Sequence, residues 1–592
     1  MIFGKHINRY YIKYGGWLLV GLLTLLVIDW LQLMIPNVYQ MLINGMNTGY
    51  VEAEGTLHPF DMEFLLEHIC KPMVVIIVGM VIGRFLWRVA FMGAAVKVEA
   101  ELRNRMFAHA KDLSRSYYQV NKVGNLMSLF TNDLDTIQDC VSWGFLMFFD
   151  AAFLGVLAMI KMWNMDPMLT MLAMLPMIFL TAASLIIGKW MTEKWEIRQA
   201  AFSKLSDFSQ ESFSGIAVIK AFVKEAKELM AFQKLNRENE EANIVYTRYS
   251  VLLRILTTLF IESVICVILG YGGFLVYQGK FNAGQMIEFI GYFTTIIWPI
   301  MAVAELIDMT SRGKASLKRI SELLDTKVEV ADREGVKSLK EVNGMIEFRN
   351  LTFRYPDVEY NALDNVSFKI EAGEQVGVVG KTGSGKTTIL SLIVRNYEIQ
   401  KGQILIDGID IRKIKIASLR KHFGQMLQDV FLFSGDIRSN ILLREEGITD
   451  AEVMETCQYV NADAFINKLE HGLEEAVLER GNNFSAGQRQ LLSFARTLVH
   501  KPSVMILDEA TANIDTETEV LIQDSLEKMK HIGTMLVVAH RLSTIQHSDN
   551  IILLSHGEIV EQGTHQQLLA KKGWYYHLYT LQYTKQQLGL KK

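Results

Sequence analysis

Proline and cysteine are scarce in this chain, and neither sign of charge is in large excess. Its 592 residues include 8 prolines and 4 cysteines. Cys70, Cys140, Cys266 and Cys457 lie far apart and form no CxxC pair, so they read as isolated thiols rather than a disulfide framework or a metal site. A net charge of −4 supplies no basic surface for nucleic acid. The first apolar run, near 17–41, is too long for the core of a signal peptide and lacks a small-residue cleavage site. It is expected to remain as a membrane span. Hydrophobic residues, in contrast, make up 50% of the chain. Their long runs stop near position 310, and the remainder reads as an ordinary soluble α/β protein.

Crossing the hydrocarbon core takes about 20 apolar residues of helix. Six segments qualify, near 17–41, 70–95, 141–163, 167–190, 251–278 and 284–308. Only Asn164, Met165 and Asp166 separate the third from the fourth, and Pro167 suits the first turn of the new helix, which marks a tight hairpin. Six spans put both termini on one side. The N-terminus (Lys5, Arg9, Lys13) and the second-to-third and fourth-to-fifth connections (Lys97, Arg103, Arg105; Lys189, Lys194, Arg198) are basic, while the first-to-second connection carries Glu52, Glu54, Asp61, Glu63 and Glu67. The excess of Lys and Arg places the termini and both long connections in the cytoplasm. These connections continue the helical pattern of the spans, with polar stretches near 116–124 and 207–215 where the chain is expected to turn back and meet a soluble domain.

Asp29, Arg84, Arg88, Asp150, Glu262, Glu288 and Glu305 fall inside the apolar runs. A charge facing lipid is costly, so each is expected to face a cavity, a neighbouring helix or another charge. Asp29, Asp150 and Glu262 are the candidates for contact with a cationic amphiphile. Methionines recur every three residues from Met159 to Met177, but Pro167 interrupts the stripe, so ordinary packing is the expectation.

The soluble part changes to short strands, glycine turns and helices from about 345. There an apolar strand runs into Gly380, Lys381, Thr382, Gly383, Ser384, Gly385, Lys386, Thr387 and Thr388, followed by an apolar helix. This is G-x-x-x-x-G-K-[ST] in its strand–loop–helix context: backbone N–H groups curl around phosphate oxygens, Lys386 reaches the outer phosphates and Thr387 can ligate Mg²⁺. A second apolar strand ends in Asp508, placed to hold the Mg²⁺ shell, followed by Glu509, placed to polarise a water. A third ends in His540, a candidate sensor of the terminal phosphate. Ser485, Ala486, Gly487 and Gln488 open another helix, a second anion site. Two phosphate-binding helix starts exceed what one nucleotide needs, which implies a dimer in which the second covers ATP held by a partner.

With these residues in view, the chain resembles the ATP-binding cassette exporters that fuse six transmembrane helices to one cassette. Residues 380–387 resemble the Walker A motif, 504–508 Walker B with Glu509 as catalytic carboxylate, 484–488 the signature, 479–481 the loop ahead of it and 512–515 the D-loop. The resemblance makes Gln428 the glutamine that links Mg²⁺ to the membrane helices, Tyr355 the aromatic that stacks on adenine and His540 the switch histidine; 208–222 is similar to the second coupling region. It implies a multi-domain fold, an all-α six-helix polytopic membrane domain (1–325), a linker (326–344) and an α/β P-loop NTPase cassette (345–592). It also implies ATP and Mg²⁺ as cofactors and export of hydrophobic or amphipathic compounds across the cell membrane by alternating access. A lipid or peptide exporter, or an ATP-gated membrane sensor, is the alternative. Ala486 stands where the signature commonly has glycine, while Glu509 is intact. That combination implies a heterodimer with a second half-transporter, a homodimer being the other possibility.

Overall fold

The structure, a computed structural model, describes residues 3–53, 56–508, 516–530, 532–539 and 542–587. Glu509, His540 and the 512–515 segment lie outside the described residues. The chain divides into two compact units, Met1–Phe107 with Ser128–Leu323, and Ala108–Met127 with Leu324–Lys592.

The first unit holds six long apolar helical spans: Gly15–Thr48, Met62–Ala110, Val123–Met165, Pro167–Ser214, Glu225–Tyr277 and Ala283–Asp325. Their apolar parts coincide with the six segments expected from hydropathy. Each runs well past the lipid, since the 48 residues of Pro167–Ser214 make a helix of about 72 Å against a hydrocarbon core of about 30 Å. Asp166 caps that helix, its Oδ1 accepting from Leu169 N at 2.6 Å, with Pro167 in the first turn, so the tight hairpin forms where the sequence placed it. The first span is broken at Leu33 and Met34, just before Pro36, whose ring cannot donate to the preceding turn.

Within this unit Leu154, Ala158 and Met162 pack with Leu169, Ala173, Met177, Val264, Ile268, Phe289 and Phe293. Met162 and Met177 sit inside this cluster and Met159, Met165 and Met174 border it, so much of the methionine series serves packing. In each span only 11–33% of the apolar window is buried within the chain, which leaves most of that surface for lipid or a second chain. At the other end of the unit Asp133 is buried, accepting from Ser316 Oγ at 2.7 Å and paired with Arg319.

The turn expected near 207–215 lies later. The helix continues to Ser214, and the chain turns at Gly215, through the short helix Ile216–Ala221, to 224. Ser209 Oγ and Ser212 Oγ donate to the carbonyls of Leu205 and Phe208 four residues back, so these polar side chains are satisfied by the helix itself. Phe213, Val218, Phe222 and Val223 around this turn are exposed.

The second unit is built on two large sheets, with a small antiparallel pair at Gly435–Asp436 and Ala476–Val477. Six strands run in the order Glu558–Gly563, Asn550–Ser555, Gln375–Gly380, Thr534–Val538, Val504–Asp508 and Phe423–Met426. All neighbours in this sheet are parallel except the first pair. The central strands are buried throughout, as parallel strands covered on both faces must be. An antiparallel sheet, Leu363–Ile370, Ile346–Phe353, Lys401–Ile406 and Ile409–Asp410, forms the other layer. Its Ile346, Phe348, Val366 and Ile404 share one core with Val376, Val378, Ile506 and Val538 of the parallel sheet. On the opposite face, Leu491, Phe494 and Ala495 of the helix Ala486–Leu498 pack with Met505, Leu507, Met535 and Val537.

Candidate functional site

Ligands of open parallel sheets gather at the carboxyl ends of the strands. Here Gly380 and Asp508 end two of them. The strands are not adjacent, because Thr534–Val538 lies between them. Even so, Asp508 is close enough to feel the hydroxyl of Thr387 and the charge of Lys386. The sheet thus brings the carboxylate, the hydroxyl and the ammonium of the sequence reading into one place.

The loop before the helix Lys386–Ile393 is held tightly. Lys386 is buried, and its Nζ donates to the carbonyls of Gly380 at 2.9 Å and Lys381 at 3.0 Å. Burial pushes the lysine below its ordinary value, and the Asp508 charge opposes this. Burial also pushes Asp508 above the usual carboxylate range, against the pull of Thr387 and Lys386. Ser384 is buried, and its Oγ has no hydrogen-bond partner among the described residues. An orphaned hydroxyl inside a loop of this shape is a donor suited to an anion. Gly385 caps the helix at φ 100°, and a Cβ there would lie 2.5 Å from the Ala362 carbonyl oxygen. Only glycine fits that backbone. Lys381, Thr382, Gly383 and Thr387 are exposed along the outer face of the loop, while Thr388 is buried.

Tyr355 follows the strand Ile346–Phe353 and donates its hydroxyl to Thr388 Oγ1 at 3.0 Å. Its ring stands edge-on to Phe353 and Tyr397 at 5.1 and 5.2 Å between centroids. The candidate adenine-stacking ring is therefore seated beside the phosphate loop. Gln428 is exposed beyond the end of the neighbouring strand Phe423–Met426.

Ser485, Ala486, Gly487 and Gln488 lie apart from this cluster in their roles. Ser485 is the N-cap of Ala486–Leu498, and a reciprocal pair of bonds, Gln488 N to Ser485 Oγ at 3.2 Å and Ser485 N to Gln488 Oε1 at 2.9 Å, closes the helix start. Ser485 is exposed, Ala486 and Gln488 are half-buried and Gly487 is buried.

The stretch near 116–124 meets the soluble part, as expected, through partners that no motif names. The helix Arg115–Val120, which lies between the second and third spans in sequence, belongs to the cassette unit. Gln119 Nε2 donates to the Asp357 carboxylate at 3.0 and 3.1 Å, and Gln119 Oε1 accepts from Tyr397 OH at 3.0 Å. Ser114 and Ser116 both donate to Glu329, the first at 3.0 Å and the second at 2.5 Å. No local pattern announces such pairings, which join residues more than 200 positions apart.

In the membrane unit the structure brings Asp29 and Asp150 together. Asp29 is buried, and its Oδ2 has no hydrogen-bond partner among the described residues. Asp150 Oδ2 accepts from Trp298 Nε1 at 2.6 Å, and Arg84 lies within electrostatic reach of Asp150. Glu262 is exposed and does not join them. Glu288 accepts from Tyr292 OH at 2.8 Å within its own helix.

Comparison with known proteins fits this geometry at both ends. The family described as ABC transporter transmembrane region matches residues 18–300, and the family ABC transporter matches residues 363–512. The chain is 32% identical over 586 residues to the probable multidrug resistance ABC transporter ATP-binding/permease protein YheI of Bacillus subtilis, covering 99% of this chain and 97% of that protein. It is 34% identical over 526 residues to the ATP-dependent lipid A-core flippase of Syntrophus aciditrophicus, covering 88% and 86%. A solved structure of a bacterial Atm1-family ABC exporter with ATP bound superposes with a TM-score of 0.76 at 26% identity, covering 97% of this chain and 98% of that one. The chain belongs to the ABC transporter family: it is a multi-pass membrane exporter subunit with a fused ATP-binding cassette, an ATPase coupled to transport.

Proposed function

We propose that this chain uses ATP hydrolysis to export hydrophobic or amphipathic compounds across the cell membrane by alternating access, as one half of a dimer. The observation that carries this reading is the joining, in one chain, of six apolar spans to a phosphate loop with an orphaned Ser384 hydroxyl. The basic cytoplasmic connections support a multi-pass arrangement with the termini and cassette in the cytoplasm.

In this reading the loop N–H groups and Ser384 take the phosphate oxygens. Lys386 leaves its two carbonyls to meet the outer phosphates, and Tyr355 stacks on adenine. Thr387, Asp508 and Gln428 would hold Mg²⁺; a hydroxyl beside a carboxylate is the hard oxygen set this ion takes. The bound ion would neutralise phosphate charge during transfer. Glu509 orients the attacking water and His540 senses the terminal phosphate. Because Ser485 already caps its own helix, the signature face 485–488 is left to cover ATP on a partner cassette.

ABC exporters work as dimers, and the exposed Phe213, Val218, Phe222 and Val223 support a second cassette docking at the 215–224 turn. We assign the partner as a different half-transporter. Ala486 adds a methyl group where backbone must approach a phosphate, while Glu509 is intact, a combination suited to the hydrolysing side of an unequal pair. ATPase measured on this chain alone tests the assignment: weak, non-cooperative turnover is expected, and full cooperative turnover by a pure homodimer would overturn it.

The pairing of buried Asp29 with half-buried Asp150 beside Trp298 supports amphipathic cations as cargo, since carboxylates and an aromatic ring together favour such a ligand. A lipid is the second reading, supported by the likeness to the lipid A-core flippase. ATP-dependent accumulation of a cationic dye or a labelled lipid in inverted vesicles separates the two.

A further inference from the structure

The nucleotide corner has a charged neighbour that no motif assigns. Arg115 opens the helix Arg115–Val120, four residues before Gln119 and on the same face. Gln119 fixes that face against the cassette through Tyr397 and Asp357. Arg115 is exposed and makes no hydrogen bond or ion pair among the described residues.

Its position follows from the helix it opens: one turn on, Gln119 accepts from Tyr397, whose ring stands 5.2 Å from that of Tyr355, and Tyr355 donates to Thr388; the groups that feel the charge of Arg115 agree. These are Tyr355 after one strand, Tyr397 after the helix that follows the phosphate loop, and Asp508 at the end of another strand. The three come from separate elements and border the same space: Tyr355 is bonded to Thr388, and Asp508 is close enough to feel Thr387. A single guanidinium within electrostatic reach of all three lies near the phosphate loop. The cations already there do not make it redundant, because Lys386 is buried under the loop's own carbonyls.

We propose that Arg115 is a nucleotide-binding residue, its guanidinium taking phosphate charge of the ATP held by the 380–387 loop. Arginine suits this role because it stays charged and presents several donors to phosphate oxygens. Gln119 is the positioning residue that holds its helix in place. The segment leaving the second span would then touch the nucleotide itself, so ATP arrival would alter the load on that segment directly. The proposal rests on the reading of 380–387 as the ATP site.

The test uses the full-length protein in lipid nanodiscs, titrated with a fluorescent ATP analogue and with Mg-ATP, ADP and AMP as competitors. Arg115→Ala is expected to weaken ATP binding about tenfold, Arg115→Lys by about threefold or less, and Arg115→Glu by more than Arg115→Ala. The loss should shrink from ATP to AMP as phosphate charge is removed. Salt should weaken wild-type binding more steeply than that of Arg115→Ala. The unfolding midpoint without nucleotide should not change in Arg115→Ala, because the side chain is exposed and unpaired. Near-wild-type affinity in both Arg115→Ala and Arg115→Glu overturns the proposal. So does a loss in Arg115→Lys equal to that in Arg115→Ala, or an equal loss for ATP and AMP. Lys386→Ala separates the two levels: if it binds ATP normally, the site reading itself fails; if it loses binding while Arg115→Ala and Arg115→Glu do not, only the role of Arg115 fails.

Discussion

Replacing Gly385 by alanine strikes the phosphate loop through its backbone alone. The residue sits at φ 100°, and an added Cβ would lie 2.5 Å from the Ala362 carbonyl oxygen and 2.7 Å from Leu363 Cδ2. Left-handed backbone costs a non-glycine residue about 1–2 kcal/mol. The carbonyl belongs to the main chain and cannot swing aside, so the loop must shift, at about 1–3 kcal/mol for an overpacked contact. Together these give about 2–5 kcal/mol against the binding-competent loop, or about thirtyfold to several thousandfold in ATP affinity. Gly383 supplies the comparison. Its φ is 80°, but an added Cβ there meets nothing within 4 Å. Gly383→Ala should therefore suffer the backbone term alone, about 1–2 kcal/mol or about five- to thirtyfold. Titration of both variants with a fluorescent ATP analogue, with unfolding midpoints recorded alongside, gives the ranking. Wild-type affinity in Gly385→Ala, or a larger loss in Gly383→Ala, would refute the reasoning.

Other expectations test separate parts of the molecule. Asp133 is buried between Ser316 and Arg319, but Arg319 is half exposed, so Asp133→Ala should destabilise the membrane unit by about 1–3 kcal/mol rather than by the full value of a buried pair; detergent-solubilised melting curves report it, and an unchanged midpoint would contradict it. Burial alone would raise Asp410, yet the bonds from Arg412 hold its carboxyl below the usual range. A depressed folded value contributes stability above the unfolded value and loses it as pH falls, so wild-type unfolding midpoints should drop below about pH 4 more steeply than those of Asp410→Asn; parallel pH profiles would count against the pairing. Burial pushes the Cys457 thiol up to about 12. At neutral pH a maleimide should label it only on unfolding, which mass spectrometry of the cassette peptides detects; rapid labelling of folded protein would contradict its burial.

Much of the fold could be read from the sequence because the signals were long or doubly determined. Six apolar runs fix six spans, and Asp166 with Pro167 fixes a hairpin at one residue's precision. The phosphate loop was legible because its glycines, lysine and hydroxyls follow one another in the chain. The 207–215 stretch misled because serine reads as a turn residue, whereas Ser209 and Ser212 bond back to their own helix. The 116–124 stretch could be expected to meet the cassette, but nothing local could show which residues it meets, since Gln119 and Tyr397 lie 278 positions apart. The same limit applies to Asp29 and Asp150: hydropathy marks both as costly, but only helix rotation decides that they face each other and that Glu262 does not join them.

The central claim is that ATP turnover at this cassette drives outward transport. Its most direct test is accumulation of a fluorescent amphipathic cation in inverted membrane vesicles containing the transporter with its native partner, with and without Mg-ATP, for wild type and Glu509→Gln. The expected result is ATP-dependent accumulation by wild type and none by Glu509→Gln, although the variant still binds ATP. Equal accumulation by both, or accumulation by wild type without ATP, would contradict it.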